Sequence, residues 1–234
     1  MRALGIDTSC SHGAGGTGSL GVADAQGAIA ETVLRSGRSH SETLLVSIER
    51  TLSGLQLAWD GIDLIGVATG PGSFTGLRIG LATARGLAMA LGRPLAGFST
   101  LETAALAVAQ GQGLQGRPIG IMLDAGRGEV YRGLYRCSGM DVEILLPEAA
   151  LAPGPAAVGL PAGVFLCGSG WAQHRALLSG LLPQKAETSG DTPPLGAMLA
   201  RRALDLAACG RLAAGPPVRP NYLRLADAEI AFKA

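Results

Sequence analysis

The run of strands in this chain begins twice. Residues 2–7 (RALGID), 19–24 (SLGVAD) and 27–34 (GAIAETVL) read as three consecutive strands, and 118–124 (PIGIMLD), 129–136 (EVYRGLYR) and 141–146 (DVEILL) read as three more. Each triple is apolar over strand length and broken by turn residues. Helices and strands then alternate after each triple. In the first half, a helix is predicted over 42–55, capped by Ser41, with Leu44, Ile48, Leu52 and Leu55 on one face. Strand 63–68, a Gly-rich loop 70–76, helix 77–91, strand 95–98 and helix 101–109 follow. In the second half come a Pro/Gly/Ala-rich connector 147–163, strand 164–168, a helix near 171–182 and a helix over 195–209. The tail 216–224 is too Pro-rich for a helix. Such a pattern predicts an α/β protein of two lobes built from a duplicated unit, 1–101 and 102–234.

Composition narrows the classes. Hydrophobic residues make up 47% and charged residues 16%, which excludes a disordered chain. A formal net charge of +1 provides no general basic field for nucleic acid. Cys10, Cys137, Cys167 and Cys209 form no CxxC pair and match no zinc spacing, which suits buried thiols in a reducing cytosol. His12, His40 and His174 form no HxxxH pair. The N-terminus lacks the pattern of a signal peptide. The apolar stretch 76–91 carries Arg78 and Arg85 and is too short to span a membrane.

The duplicated order resembles the actin/Hsp70/sugar-kinase superfamily, whose lobes share a ribonuclease H-like core. The first strand of each half ends in Asp, at Asp7 and Asp124. In that superfamily acidic residues at these strand ends hold a metal–nucleotide between the lobes; an Asp after a strand also simply starts a turn. The candidate cleft residues are Asp7, Thr8, Ser9, Gly70, Gly72, Ser73 and Asp124. The loop Gly70–Gly76 follows a buried strand and opens a helix, so its amides offer either an anion site or a tight turn; it is not a Walker A loop. The GxGxxG match at 13–18 leads into a strand, not a helix, and reads as a hairpin loop.

The helix after loop 70–76 places Gly76, Gly80, Ala84 and Ala88 every four residues, with Leu77, Leu81, Ile79, Leu87 and Met89 over most of the remainder. Such a helix must be covered on both sides, by its own lobe alone or by a second chain as well. The candidate partner surface is Leu44, Leu45, Ile48 and Leu52 of the first helix with Gly76, Leu77, Arg78, Gly80, Leu81, Ala84 and Ala88 of the second.

The runs SGRSHSETLLVSIERTL, IGVATGPGSFTGLRIGLATARGLA, GRPLAGFSTLETAA, LDAGRGEVY and PNYLR fall in order over most of the chain and resemble the TsaB (YeaZ) family, relatives of the TsaD/glycoprotease family. The match departs at 11–18, where a Gly-rich insert lengthens the first hairpin, and is loose over 138–164. The resemblance implies a non-catalytic subunit for threonylcarbamoylation of tRNA adenosine 37. It implies a homodimer in isolation, a heterodimer with TsaD, a ternary complex with the ATPase TsaE, and contact with tRNA through the complex. TsaD carries metal-binding histidines in a stretch like N-H-L-E-x-H; Thr100 and Ala104 stand at the two positions here. A hydroxyl and a methyl cannot replace two imidazoles on a transition metal. This chain is therefore expected to require no cofactor and bind no metal, with ATP and metal used by its partners. The rival expectations are a metallopeptidase of the glycoprotease type and an ATP-dependent phosphotransferase.

Overall fold

A computed structural model describes residues 1–9, 16–35, 40–212 and 218–224. The first half runs β1 (Arg2–Asp7), β2 (Gly16–Asp24), β3 (Gly27–Arg35), α1 (His40–Gly54), β4 (Leu64–Gly70), α2 (Phe74–Leu91), β5 (Leu95–Ser99) and α3 (Thr100–Gly111). The second runs β6 (Pro118–Gly126), β7 (Glu129–Ser138), β8 (Asp141–Leu151), α4 (Pro153–Ala156), β9 (Phe165–Cys167), α5 (Ser169–Gln173), α6 (Arg175–Leu178), β10 (Glu187–Thr188) and α7 (Gly196–Ala208). Two five-stranded sheets result, ordered β3-β2-β1-β4-β5 and β8-β7-β6-β9-β10. In each, the first three strands are antiparallel neighbours, and the last two run parallel to the first. The duplicated ribonuclease H-like core expected from the sequence is present.

The layers follow from burial. Leu4, Ile6, Leu20, Val22, Ile65 and Val67 on one face of the first sheet pack against Leu44, Ile48 and Leu52 of α1 and Leu81 and Ala84 of α2. Each fully buried aliphatic contributes about 2 kcal/mol. Between the sheets, α7 lies on the first and α3 on the second, and the two helices touch. Leu101, Leu106, Ile119, Ile121, Tyr135, Met198 and Leu199 form this central core. Met122, Leu134, Leu166, Trp171 and Leu178 form the outer core of the second sheet beneath α4–α6.

Helix α7 comes late in the chain but packs on the first sheet, so that lobe is completed from beyond the division at 101/102. Its seat is a row of glycines. Gly5 pairs with Gly21 on β2 and with Gly66 on β4. A Cβ at Gly5 would lie 1.9 Å from the Gly196 carbonyl oxygen, at Gly21 2.0 Å from the Ala197 nitrogen, and at Gly66 2.5 Å from the Leu199 oxygen. Only hydrogen in place of Cβ lets helix and sheet backbones approach this closely. Ser19 Oγ accepts from Leu195 N and Gly196 N, each at 2.9 Å, and Glu31 Oε2 from Ala197 N at 2.9 Å. These bonds satisfy donors that a helix start leaves open.

Several boundaries differ from the sequence reading. α2 begins at Phe74 because Ser73 caps it, its Oγ accepting from Gly76 N at 3.2 Å. β8 runs through the expected connector to Leu151, since Pro147 sits at a register irregularity on an edge strand, where no ladder bond is lost. The helix near 171–182 is broken into α5 and α6, with His174 outside helical geometry at φ −103° and ψ 18°. β10 was not foreseen. Residues 11–15 of the Gly-rich insert, with Cys10 and His12, and the side chain of Ser41 lie outside the described residues.

Candidate functional site

The candidate cleft residues of the first lobe converge, and they are used up by the chain itself. Asp7, Thr8 and Ser9 are buried. Asp7 Oδ1 accepts from Ser9 N at 2.8 Å and Ser9 Oγ at 2.5 Å. Ser9 Oγ lies 2.9 Å from Thr100 Oγ1, and Ser9 O accepts from Ser73 N at 2.6 Å. Thr8 Oγ1 donates to Gly76 O at 2.7 Å. Loop Gly70–Gly76 is thus held down on the end of β1 as a tight turn. A Cβ at Gly72 would come 2.1 Å from Ser9 O, and at Gly76 1.9 Å from Thr8 O, so both glycines serve internal packing.

Asp124 is not brought into this group. It is exposed, and its Oδ1 accepts from Gly126 N at 2.9 Å. Asp7 and Asp124 therefore make the same local bond, to the N–H two residues on, which is the turn-starting role of Asp. Thr100 and Ala104 are both buried in α3, the first bonded to Ser9 and the second in the central core. Burial pushes the thiol of Cys137 up to about 11 and that of Cys167 up to about 12, so neither is a thiolate nucleophile at neutral pH. Among the described residues no three His, Cys, Asp or Glu side chains gather as a metal site.

A second polar cluster joins the lobes, and it was not foreseen. Glu148 of β8 accepts from Tyr135 Oη at 2.9 Å, from Asn221 Nδ2 at 2.9 Å, and from Ser99 Oγ. Burial raises the Glu148 carboxyl above the usual carboxylate range, against the pull of these donors. Asn221 also donates its backbone N–H to Thr69 O at 2.7 Å. The tail around it straps both lobes. Tyr222 lies 5.0 Å, ring to ring, from Phe74, and Arg224 Nη1 donates to Ala125 O at 2.8 Å. The run PNYLR was visible in the sequence, but no periodicity says what such a segment touches.

The expected partner surface needs correction. Leu44, Ile48, Leu52, Gly76, Leu77, Gly80, Leu81 and Ala84 are buried within the lobe. The small-residue stripe faces inward because β1 ends against it: a Cβ at Gly80 would lie 2.2 Å from Thr8 Oγ1. Ala88 is half-buried, while Leu45 and Arg78 are exposed. The outward face of α2 instead carries Arg78, Ala82, Arg85, Gly86, Met89 and Ala90. A second row of small residues, Ala82, Gly86 and Ala90, thus repeats at the same four-residue spacing. Beside it Met89 is 84% exposed, and on α1 Leu45 is 54% and Val46 44% exposed. The inner and outer rows differ in sequence only by their phase about the helix axis.

Two lobes of one ribonuclease H-like strand order give this chain the two-lobed α/β fold of actin-like proteins. Within that class the chain belongs to the TsaB family. It is 31% identical to the "tRNA threonylcarbamoyladenosine biosynthesis protein TsaB" of Bacillus subtilis over 98% of this chain and 96% of that one. The solved structure of YeaZ from Pseudomonas aeruginosa matches with a TM-score of 0.76 at 28% identity, covering 95% of this chain and 99% of that one. The wider family described as "TsaD: tRNA N6-adenosine threonylcarbamoyltransferase" matches residues 30–176. One such transferase, from Chelativorans sp., is 35% identical over 45% of this chain and 33% of its own length. No helix among the described residues is long and apolar enough to cross a membrane.

Proposed function

We propose that this chain is a non-catalytic, cytoplasmic subunit in the biosynthesis of threonylcarbamoyladenosine at position 37 of tRNA, and that it acts by docking on TsaD. The near full-length likeness to a protein named for that biosynthesis supports the pathway. The observation that carries the non-catalytic reading is the closure around Asp7. The Thr100 hydroxyl is bonded to Ser9, Ala104 is in the core, and Asp7 is buried beneath its own turn. The same closure weighs against a phosphotransferase, whose magnesium nucleotide must reach Asp7. Docking uses the outward face of α2 with Leu45 and Val46 of α1, an apolar strip a lone chain would leave in water. ATP and metal belong to the partners, TsaE completes the assembly, and tRNA is met through the complex. In isolation the same face pairs two copies.

Reconstitution tests this reading. The chain with TsaD, TsaE and the adenylate-forming synthase should modify tRNA adenosine 37, and omission of TsaD should abolish the product. Modified nucleoside formed by this chain and the synthase alone would refute it. Ala82→Arg, on the exposed row, should lower the rate on the order of 100-fold at limiting subunit and recover at high concentration. Asp7→Ala should leave heterodimer formation intact; if it abolishes turnover in a saturated complex, the subunit has a chemical role.

A further inference from the structure

The outward face of α2 carries charge of one sign. Between residues 64 and 99 the chain has Arg78, Arg85 and Arg93 and no Asp or Glu. Arg93 lies beyond the helix, where its Nη2 donates to Asp60 O at 3.1 Å. Arg85 donates to Val218 O, a neutral carbonyl. Arg78 is different. Its guanidinium carbon lies 3.8 Å from the centre of the Phe74 ring, and its Nε donates to Tyr222 Oη at 3.3 Å. Tyr222, 40% exposed, in turn packs on Phe74 with the two rings tilted by 37°. The side chain is thus held between the Phe74 ring and the Tyr222 hydroxyl, and among the described residues no carboxylate is bonded to it. Its terminal nitrogens are left as a fixed pair of donors at the end of an apolar strip. Stacking removes rotamer freedom that a long side chain otherwise loses on binding, and two parallel N–H groups match an oxyanion bidentately.

We infer that Arg78, fixed by Phe74 and Tyr222, is the receptor for a carboxylate on the docking face of the partner subunit, and that it favours this acidic partner over a second copy of the chain. The inference rests on the docking reading above. A protein carboxylate is chosen over an RNA phosphate because Arg78 shares its helix face with Ala82, Gly86 and Met89. An apolar centre with arginine at its rim is the anatomy of a protein interface. Two copies meeting on this face would each bring Arg78 and Arg85, while α1 adds Glu42, Glu49 and Arg50, leaving both helices at a net +1 per copy. A partner with an acidic face relieves that excess, and a second copy doubles it.

The test is the affinity of purified TsaD for the full chain and its variants, at low and high salt, beside the self-association of each. Arg78→Glu should weaken the heterodimer on the order of 100-fold, and Arg78→Lys about 10-fold, since an ammonium cannot make the paired contact. Tyr222→Leu should weaken it several-fold, about 3–5-fold, by freeing the guanidinium. Self-association should change far less. An acidic-to-Arg change on TsaD should restore binding of Arg78→Glu and of no other variant. Equal loss of homodimer and heterodimer in Arg78→Glu would overturn the choice of an acidic partner. Unchanged TsaD affinity together with lost binding of an anticodon stem-loop RNA would assign the arginine to nucleic acid and overturn the inference. Failure of the unmodified chain to bind TsaD would instead sink the docking reading itself.

Discussion

The two lobes share one strand order but are covered in different ways. The first sheet is clad by long helices, 15 residues in α1 and 18 in α2, with α7 lying on the backbone of its glycine row. The second is clad on its outer side by fragments of 4, 5 and 4 residues, α4, α5 and α6, and its fifth strand is only 2 residues long. Where the first sheet has Gly5, Gly21 and Gly66 abreast, Gly120 of β6 pairs with Leu134 and Leu166. The second sheet is therefore filled by side chains. Strand order survives in both copies because each sheet needs only apolar strands of the right length. The covering helices are free to diverge, and only the first lobe keeps a long helix with an outward face fit to receive another protein.

The comparison can be broken most sharply by adding one methyl to each sheet. Gly5→Ala sets a Cβ against a helix carbonyl that cannot move without α7, and should destabilise by about 3–5 kcal/mol. Gly120→Ala meets Leu166 Cδ2 at 2.4 Å, the far end of a side chain that can rotate, and should cost about 1–2 kcal/mol. Urea unfolding of both variants measures the difference; equal losses would show that the glycine row is not what seats α7.

A smaller contrast separates the helix starts. Ser19→Ala leaves two buried N–H groups without an acceptor and should cost about 2 kcal/mol. Ser73→Ala removes one bond at the exposed start of α2 and should cost about 1 kcal/mol. Thermal unfolding ranks them, and a reversed order would deny α7 its place as the tightly held helix.

The smallest effect concerns the seam between lobes. Glu148 has its folded value raised above the ordinary 4.5, so the fold binds that proton more tightly than the unfolded chain does. Stability from this group is fully present below the ordinary value and is lost as pH rises through the raised one. Glu148→Gln should flatten the stability curve over that window and leave its alkaline limb unchanged. A curve of unaltered slope would mean that the donors from Ser99, Tyr135 and Asn221 fully offset burial.

Much of this was legible in the residues. Strand triples, the α1 stripe at Leu44, Ile48 and Leu52, and the duplicated order follow from period and turn chemistry, which are local. The cap at Ser99 was there to read as well, in the run Ser99-Thr100-Leu101-Glu102, where Ser99 Oγ accepts from Glu102 N at 3.2 Å. The facing of α2 was not legible, because both its rows of small residues have the spacing of a contact surface. Which row lies inside is decided by the end of β1 at Thr8, a contact between distant parts of the chain. The same holds for Glu148, whose three donors come from β5, β7 and the tail. Gly5, Gly21 and Gly66 are plain in the strands, but their alignment depends on a register no single strand reveals.

The seat of α7 also fixes an order of events during synthesis. The strands of both lobes leave the ribosome before the helix that covers the glycine row of the first. Until residues 196–208 emerge, the groove along Gly5, Gly21 and Gly66 is a stretch of bare peptide backbone with no side chains to shield it. The first lobe therefore cannot finish before α7 is made, and its glycine row stays open until then. A chain stopped short of residue 196 would carry every strand of both lobes and still lack the helix that closes the first.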